Sequence, residues 1–424
     1  MHLSSTGRAT GLPAFFAFTL LLAGCASGPR NTAPARLDPL LLVSIDGLRA
    51  DDVATMPALS KLAGEGVRAE SMRPSYPSLT FPNHYTLVTG LRPDHHGIID
   101  NTMRDAELGD FSLSNREAVS NGHWWDGGEP LWVTAKKAGL RSATMFWPGS
   151  EAEIRGERPD DWQPFDSKVT PSQRVEQVLA WLDQPADTRP DLITLYFDQV
   201  DHEEHMFGPD SPQADQARAQ IDDALARLLA GLQARGLRDR SNLIVVSDHG
   251  MAAVPPGHAI VIEDIAPPAL AEAIGMGSVI GLQPRAGSEA AFEAALDQDI
   301  LGRHDHYECW RKAELPQDWQ YGTNPRIPAV VCQVDEGWIA VSSAVIARYR
   351  DDKGIRGAHG YDPALPSMQA TFVADGPAFR DGVTLKPFDN VDVYPLLARL
   401  LGIVPAANDG DITPLLPALK DAGK

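Results

Sequence analysis

Residues 40–47 read Leu-Leu-Leu-Val-Ser-Ile-Asp-Gly, and residues 243–250 read Leu-Ile-Val-Val-Ser-Asp-His-Gly. Each is a short, almost continuously apolar run that stops at an acid. Such a run, lacking polar alternation, predicts a strand covered on both faces, with a carboxylate left at its carboxyl end. Asp191–Tyr196 has the same form and leads into Asp198–His205. Between these runs the apolar spacing becomes helical. Helices are predicted near Met56–Gly64, over Leu131–Ala138, over Ser172–Leu182 (apolar Val175, Val178, Leu179 and Leu182) and over Gln213–Ala234 (Ile221, Leu225, Leu228 and Leu232). Further strands are predicted over Gly66–Met72, Ser142–Trp147 and Gln369–Ala374, and a last helix over Val391–Leu401. Strands alternating with helices predict an α/β fold, with a mostly parallel central sheet covered by helices on both faces.

A chain of 424 residues allows two to three domains, or one large domain with an insertion. The strand–helix rhythm holds over 38–255 and returns over 353–415; together these form the expected core. Residues 256–352 break it with short fragments, including a helix predicted over Pro268–Ile274, and read as an inserted small subdomain. Acidic residues outnumber basic ones 57 to 37, for a net charge of −20. That balance argues against a polymeric nucleic acid as partner and against electrostatic attraction to an anionic membrane. A small anionic substrate stays open, because a bound metal reverses the field locally.

Residues 1–24 contain an apolar run, Gly11–Gly24, too short to span a membrane as a helix and expected to be a secretion signal. Its ending, Leu22-Ala23-Gly24-Cys25, resembles a bacterial lipobox. The resemblance implies cleavage before Cys25, lipidation of that thiol and a membrane anchor, with residues 25–37 as a flexible tether. Ala26 after the cysteine fits an outer-membrane lipoprotein facing the periplasm of a Gram-negative cell. In such an oxidising envelope Cys309 and Cys332 are expected to form one disulfide, the alternative being two buried thiols.

Oxygen and imidazole ligands occur in four separate segments: Asp46; Asp201 with His205; Asp248 with His249; and His359. The first three follow predicted strands, whose carboxyl ends share one edge of a parallel sheet, so the segments are expected to converge. Asp201 and His205, four apart, fall on one helix face. Three Asp and three His without Cys suit zinc or a similar divalent ion. Six ligands are too many for one tetrahedral ion and about right for two. The nucleophile candidate is Thr80, in Pro77-Ser78-Leu79-Thr80-Phe81-Pro82-Asn83-His84-Tyr85. Metal coordination activates such a hydroxyl without a base triad, and a helix starting there adds amide donors for a phosphate. His84 reads as a structural hydrogen-bonding group, His95, His96 and His202 as turn or supporting residues, and His304 with His306 as subdomain residues.

Together, Pro77–Tyr85, Gly90–Ile98, Asp100–Met103, Phe146–Glu151, Tyr196–Asp201, His205, Gly208-Pro209, Ser247–Met251 and Gly357–Asp362 resemble the nucleotide pyrophosphatase/phosphodiesterases of the alkaline phosphatase superfamily. The resemblance spans roughly residues 38–410. It implies an alkaline-phosphatase-like core and two zinc ions, one held by Asp201, His205 and His359, the other by Asp46, Asp248 and His249, with Thr80 also on the metal. It further implies that Thr80 attacks phosphorus, that a phosphothreonine ester forms, and that water releases a nucleoside monophosphate with net retention. Asn101 matches a donor to the phosphoryl oxygen. Phe81 matches a ring on which a nucleobase stacks, Phe165 is expected as an opposite wall, and Tyr196 as a border of the site. Substrate is then a small nucleotide or another phosphodiester. A phosphomonoesterase, a non-nucleotide (lipid- or choline-type) phosphodiesterase on the same scaffold, and a silent ligand-binding lipoprotein are the competing readings.

Overall fold

A computed structural model describes residues 6–8, 11 and 38–420. The expected lipidation at Cys25, the tether and nearly all of the leader lie outside the described residues. Strand β1 (Leu40–Ile45) is buried along its whole length. Leu40 and Leu42 enter one hydrophobic core while Leu41, Val43 and Ile45 enter another. An unbroken apolar run behaves this way when side chains alternate and both faces are covered.

In chain order the other strands of this sheet are β2 (Val67–Ala69), β3 (Ser142–Met145), β4 (Asp161–Trp162), β5 (Leu192–Phe197) and β6 (Asn242–Val246). A second sheet then uses β7 (Ala271–Ile274), β8 (Val279–Pro284), β9 (Gly302–His304), β10 (Tyr307–Arg311) and β11 (Val330–Val334). The first sheet is completed by β12 (Phe372–Asp375) and β13 (Val383–Leu385). Its order is β13-β2-β12-β6-β1-β5-β3-β4. All neighbours run parallel except β12, which is antiparallel to both β6 and β2. Helices α1 (Pro57–Glu65), α4 (Pro171–Leu182) and α6 (Pro212–Ala234) cover one face with Leu59, Val178 and Leu228. Helices α2 (Thr80–Thr89), α3 (Leu131–Lys137) and α7 (Val393–Leu400) cover the other with Tyr85, Trp132 and Leu397. A further helix, α5 (Gln199–Phe207), follows β5 directly. A mostly parallel sheet covered by helices on both faces is the α/β architecture expected from the sequence. Among the described residues no helix is long and apolar enough to cross a membrane.

The second sheet is antiparallel, in the order β7-β8-β11-β10-β9. It lies within 256–352 and has its own core, including Ile280, Leu282 and Val330. Cys309 and Cys332 face each other across β10 and β11 and are joined by a disulfide. The helix expected over Pro268–Ile274 is absent: Ala271–Ile274 is β7, hydrogen-bonded to β8. Seven residues are too few to hold a helix by themselves, and the open edge of β8 supplies a ladder instead. The strand expected over Gly66–Met72 is interrupted after Ala69, and Met72-Arg73 pairs elsewhere, with Phe388-Asp389. The core also runs past residue 415, since Leu415, Ala418 and Leu419 are buried in it.

Candidate active site

Thr80 is the first residue of α2, after an extended Leu79. Asn83, one turn on, reaches back and donates from Nδ2 to the carbonyls of Pro77 and Leu79, both at 2.9 Å. Its Oδ1 accepts from the Ser75 amide and from Asn390 Nδ2, both at 2.8 Å. The bend before Thr80 is thus held by buried hydrogen bonds as well as by its prolines. His84 sits beneath, with Nδ1 2.9 Å from the Thr80 carbonyl and Nε2 2.8 Å from Ser44 Oγ. Both ring nitrogens are engaged, so His84 braces the helix start and is no base for the Thr80 hydroxyl. His96 is buried against Thr86, His95 pairs with Asp409, and His304 and His306 stack on Tyr307 and Trp338.

The strand ends bring the six expected ligands together. Each histidine directs Nδ1 at a backbone carbonyl: His205 at Gly357 (2.9 Å), His249 at Gly250 (2.9 Å) and His359 at Ser78 (2.8 Å). A carbonyl only accepts, so Nδ1 carries a hydrogen, and Nε2 is the ring nitrogen that can give its lone pair to a metal once any proton on it has left. The carboxylates are divided in the same way. Tyr196 donates its hydroxyl to Asp46 Oδ2 at 2.6 Å, and the Gly47 amide reaches Asp248 Oδ1 at 3.3 Å. The partner atoms, Asp46 Oδ1 and Asp248 Oδ2, and also Asp201 Oδ1 are buried without a well-aligned hydrogen bond and face imidazole nitrogens instead, Asp248 Oδ2 lying 3.2 Å from His84 Nδ1 and Asp201 Oδ1 3.4 Å from His205 Nε2.

Ligand atoms converge as Asp201–His205–His359, as Asp46–His84–Asp248 and as Asp46–Asp201–His249, each set within 4.8 Å. His249 Nε2 is also 3.0 Å from Asp248 Oδ2, 3.5 Å from Asp46 Oδ1 and 3.3 Å from Thr80 Oγ1. The His249 and His359 rings stack at 3.6 Å, so the two expected trios adjoin. A carboxylate oxygen 3.0 Å from His249 Nε2 calls for a positive charge between them, a proton or a metal ion, and against the effect of burial Asp248 accordingly raises the pKa of His249. Three carboxylates crowded together and buried are costly unless positive charge is shared among them. The residues therefore fit divalent metal.

Charges within the cluster are unequal. Burial first, then Asp248 and Asp201, push the Asp46 carboxyl well above its usual range. Burial would also raise Asp248, but His249 and His84 hold it well below. Burial opposes charging of His205, yet Asp201 lifts it to about 9. Burial, with His249 next, lowers His359 to about 3.

A cleft opens beside Thr80, lined by Phe81, Phe146, Phe165, Tyr196 and Asp201 among others. Phe81 belongs to a cluster with Phe111 and Trp125, and Phe165 to a separate one with Phe146 and Tyr196. Asn101 Oδ1 accepts the Phe81 amide at 2.9 Å, which leaves the Asn101 NH₂ free to donate elsewhere. Glu151 Oε1 accepts the Phe165 amide at 2.9 Å, and its other oxygen pairs with Arg116. His202 and Asp198 line the cleft as well. Sequence reasoning did not single out Arg116, Asp198 or the buried Arg174. The signal for Arg174 is its spacing with Val178 and Trp181, a cation at an apolar-face position of α4.

Residues 40–362 match the family model described as type I phosphodiesterase / nucleotide pyrophosphatase. A venom phosphodiesterase from Naja atra is 38% identical over 402 residues, which is 91% of this chain and 47% of that protein. Ectonucleotide pyrophosphatase/phosphodiesterase family member 3 from Rattus norvegicus is 36% identical over the same share of this chain and 45% of its own. The chain thus spans about half the length of the curated relatives it matches. Among solved structures, an inactive threonine-to-alanine variant of murine ectonucleotide pyrophosphatase/phosphodiesterase 5 in complex with AMP superposes with a TM-score of 0.83 and 30% identity. It is matched over 90% of this chain and 100% of that one. The chain belongs to the type I phosphodiesterase / nucleotide pyrophosphatase family.

Proposed function

We propose that this protein is a zinc-dependent hydrolase that cleaves phosphodiester or pyrophosphate bonds of nucleotides through a covalent threonine intermediate and releases a nucleoside monophosphate. The observation that carries the reading is the position of Thr80: its hydroxyl is 3.3 Å from His249 Nε2, at a helix start, beside the converging ligand atoms of Asp46, Asp201, Asp248, His205 and His359. Asp201, His205 and His359 would hold one ion, and Asp46, Asp248 and His249 the other. Bound zinc would supply Lewis-acid stabilisation of the threonine alkoxide and of the leaving oxygen. Thr80 Oγ1 forms a bond to phosphorus as the bond to the leaving oxygen breaks. Water then displaces Thr80, so two inversions give retention. Asn101 donates its NH₂ to a non-bridging oxygen, where charge grows in the transition state. Phe81 and Phe165 offer faces for a base to stack on. The AMP complex and the inactive threonine variant of the murine relative support the nucleotide and the threonine.

The same reading includes an envelope location through lipidated Cys25, supported by the Leu22–Cys25 motif alone. The deciding experiment compares Thr80→Ala with wild type on nucleotides, a bis-aryl phosphate and a mono-aryl phosphate, with metal content assayed. Loss of turnover with metal retained, and faster diester than monoester cleavage by wild type, are expected. Full turnover by a metal-loaded Thr80→Ala would remove the nucleophile, and a faster monoester reaction would replace the reading with a phosphomonoesterase.

A further inference from the structure

Arg174, on the buried face of α4, is inaccessible to solvent. Its Nε donates to the Val169 carbonyl at 3.0 Å, and its Nη1 donates to the Tyr196 carbonyl at 2.8 Å and lies 2.7 Å from Asp198 Oδ1. Its Nη2 is buried without a hydrogen-bond partner. The guanidinium carbon lies 5.2 Å from the centre of the Phe146 ring and 5.8 Å from that of Phe165. An apolar side chain would fill this position of α4 without the desolvation cost of a buried cation. The charge therefore needs a reason other than packing.

The reason lies in where Phe165 sits. It belongs to the irregular stretch between Trp162 and Pro171, with no strand or helix to hold its ring. Arg174 lies beneath that ring and beneath Phe146, while its Nη1 is tied to the end of β5. We infer that Arg174 is a specificity-determining positioning residue: it locks the Phe165 wall of the cleft onto the strand end that carries the site, and so sets the preference for substrates whose retained group is a nucleoside. This rests on the nucleotide reading above. The contribution works through cation–π attraction to the rings and through the stacking that a fixed ring allows.

The test uses two diesters with one leaving group, thymidine 5′-(4-nitrophenyl phosphate) and methyl 4-nitrophenyl phosphate. Both lose 4-nitrophenolate, so their ratio of kcat/KM reports only the retained group. Wild type is expected to prefer the thymidine ester. Arg174→Met is expected to cut that preference about tenfold, with the change in KM for the thymidine ester and metal content unchanged. Phe165→Ala should cut the preference by itself, and adding Arg174→Met to it should cost no further preference, because the two changes remove one device. Arg174→Lys, which keeps the cation and loses the fork, gives an intermediate ratio and stands in if the Met variant does not fold. Equal losses on both esters, or additive losses of preference in the double variant, would overturn the inference. So would a preference that survives both Arg174 variants. A wild-type enzyme with no preference for the thymidine ester overturns the nucleotide reading itself, and the inference with it.

Discussion

Replacing Asn101 by Asp tests whether the amide of that residue acts on substrate or only closes a turn. Its Oδ1 is held by the Phe81 amide at 2.9 Å, immediately after the proposed nucleophile. A carboxylate keeps that bond and the side-chain shape, but turns the remaining NH₂ into an anionic oxygen. Local structure is thus preserved while a donor becomes a like charge facing phosphate. Removing one preorganised donor to a developing oxyanion costs about 10²–10³ in kcat, or about 2.7–4 kcal/mol. Asn101→Asp should lose at least as much, and Asn101→Ala about that amount, with a further penalty for the orphaned Phe81 amide. The assay is steady-state hydrolysis of thymidine 5′-(4-nitrophenyl phosphate), beside thermal unfolding of both variants. The expected pattern is a fall in kcat in both, with the thermal midpoint of Asn101→Asp near wild type. Asn101→Asp turning over within tenfold of wild type would refute the reasoning and reduce Asn101 to a structural turn residue.

Burial lowers His96 to about 3, far below its ordinary 6.5. The unfolded chain therefore binds a proton that the folded chain refuses. Stability should drop by about 1.4 kcal/mol per pH unit from this residue as pH falls through 6.5 toward 3. Urea unfolding at pH 7, 6 and 5 should show a shallower slope for His96→Gln than for wild type, and parallel slopes would contradict the assignment. Chelation should abolish hydrolysis and lower the thermal midpoint together, because metal held by the native site stabilises only the folded state, with zinc restoring both. A midpoint indifferent to chelator, at full loss of activity, would place the metal outside Asp46, Asp201 and Asp248. The Cys309–Cys332 bond links residues 23 apart, and the loop it closes predicts about 3 kcal/mol of stabilisation. Equilibrium unfolding of a double Cys→Ala variant should show a loss of that size, and no loss would indicate that β10 and β11 stay paired when unfolded.

The strands of the main sheet were legible because both faces of β1, β5 and β6 are buried, and burial of both faces leaves an apolar run with a sharp polar end. The helices were legible because a one-sided face leaves its period in the sequence, and α4 begins at Pro171, one residue before the expected start. Residues 271–274 form a strand where local spacing predicts a helix, because their state depends on the edge of β8, a hydrogen-bonding partner that propensity does not see. The role of Arg174 is not legible in the sequence, because a cation in an apolar stripe makes sense only beside a carbonyl and a carboxylate 22 and 24 residues away.

By itself the chain determined an inventory and an address: which acids and imidazoles end which strands, which hydroxyl opens a helix, and that parallel strands present those ends along one edge. Tertiary structure decided how each group is used. Tyr196 occupies one oxygen of Asp46 and leaves the other bare, and the carbonyls of Gly357, Gly250 and Ser78 turn three Nε2 atoms toward a common centre. Periodicity and strand ends are local properties written every two to four residues. The choice between two oxygens or two ring nitrogens is made by a hydrogen-bond partner as far as 281 residues away, and only the folded chain brings that partner within reach.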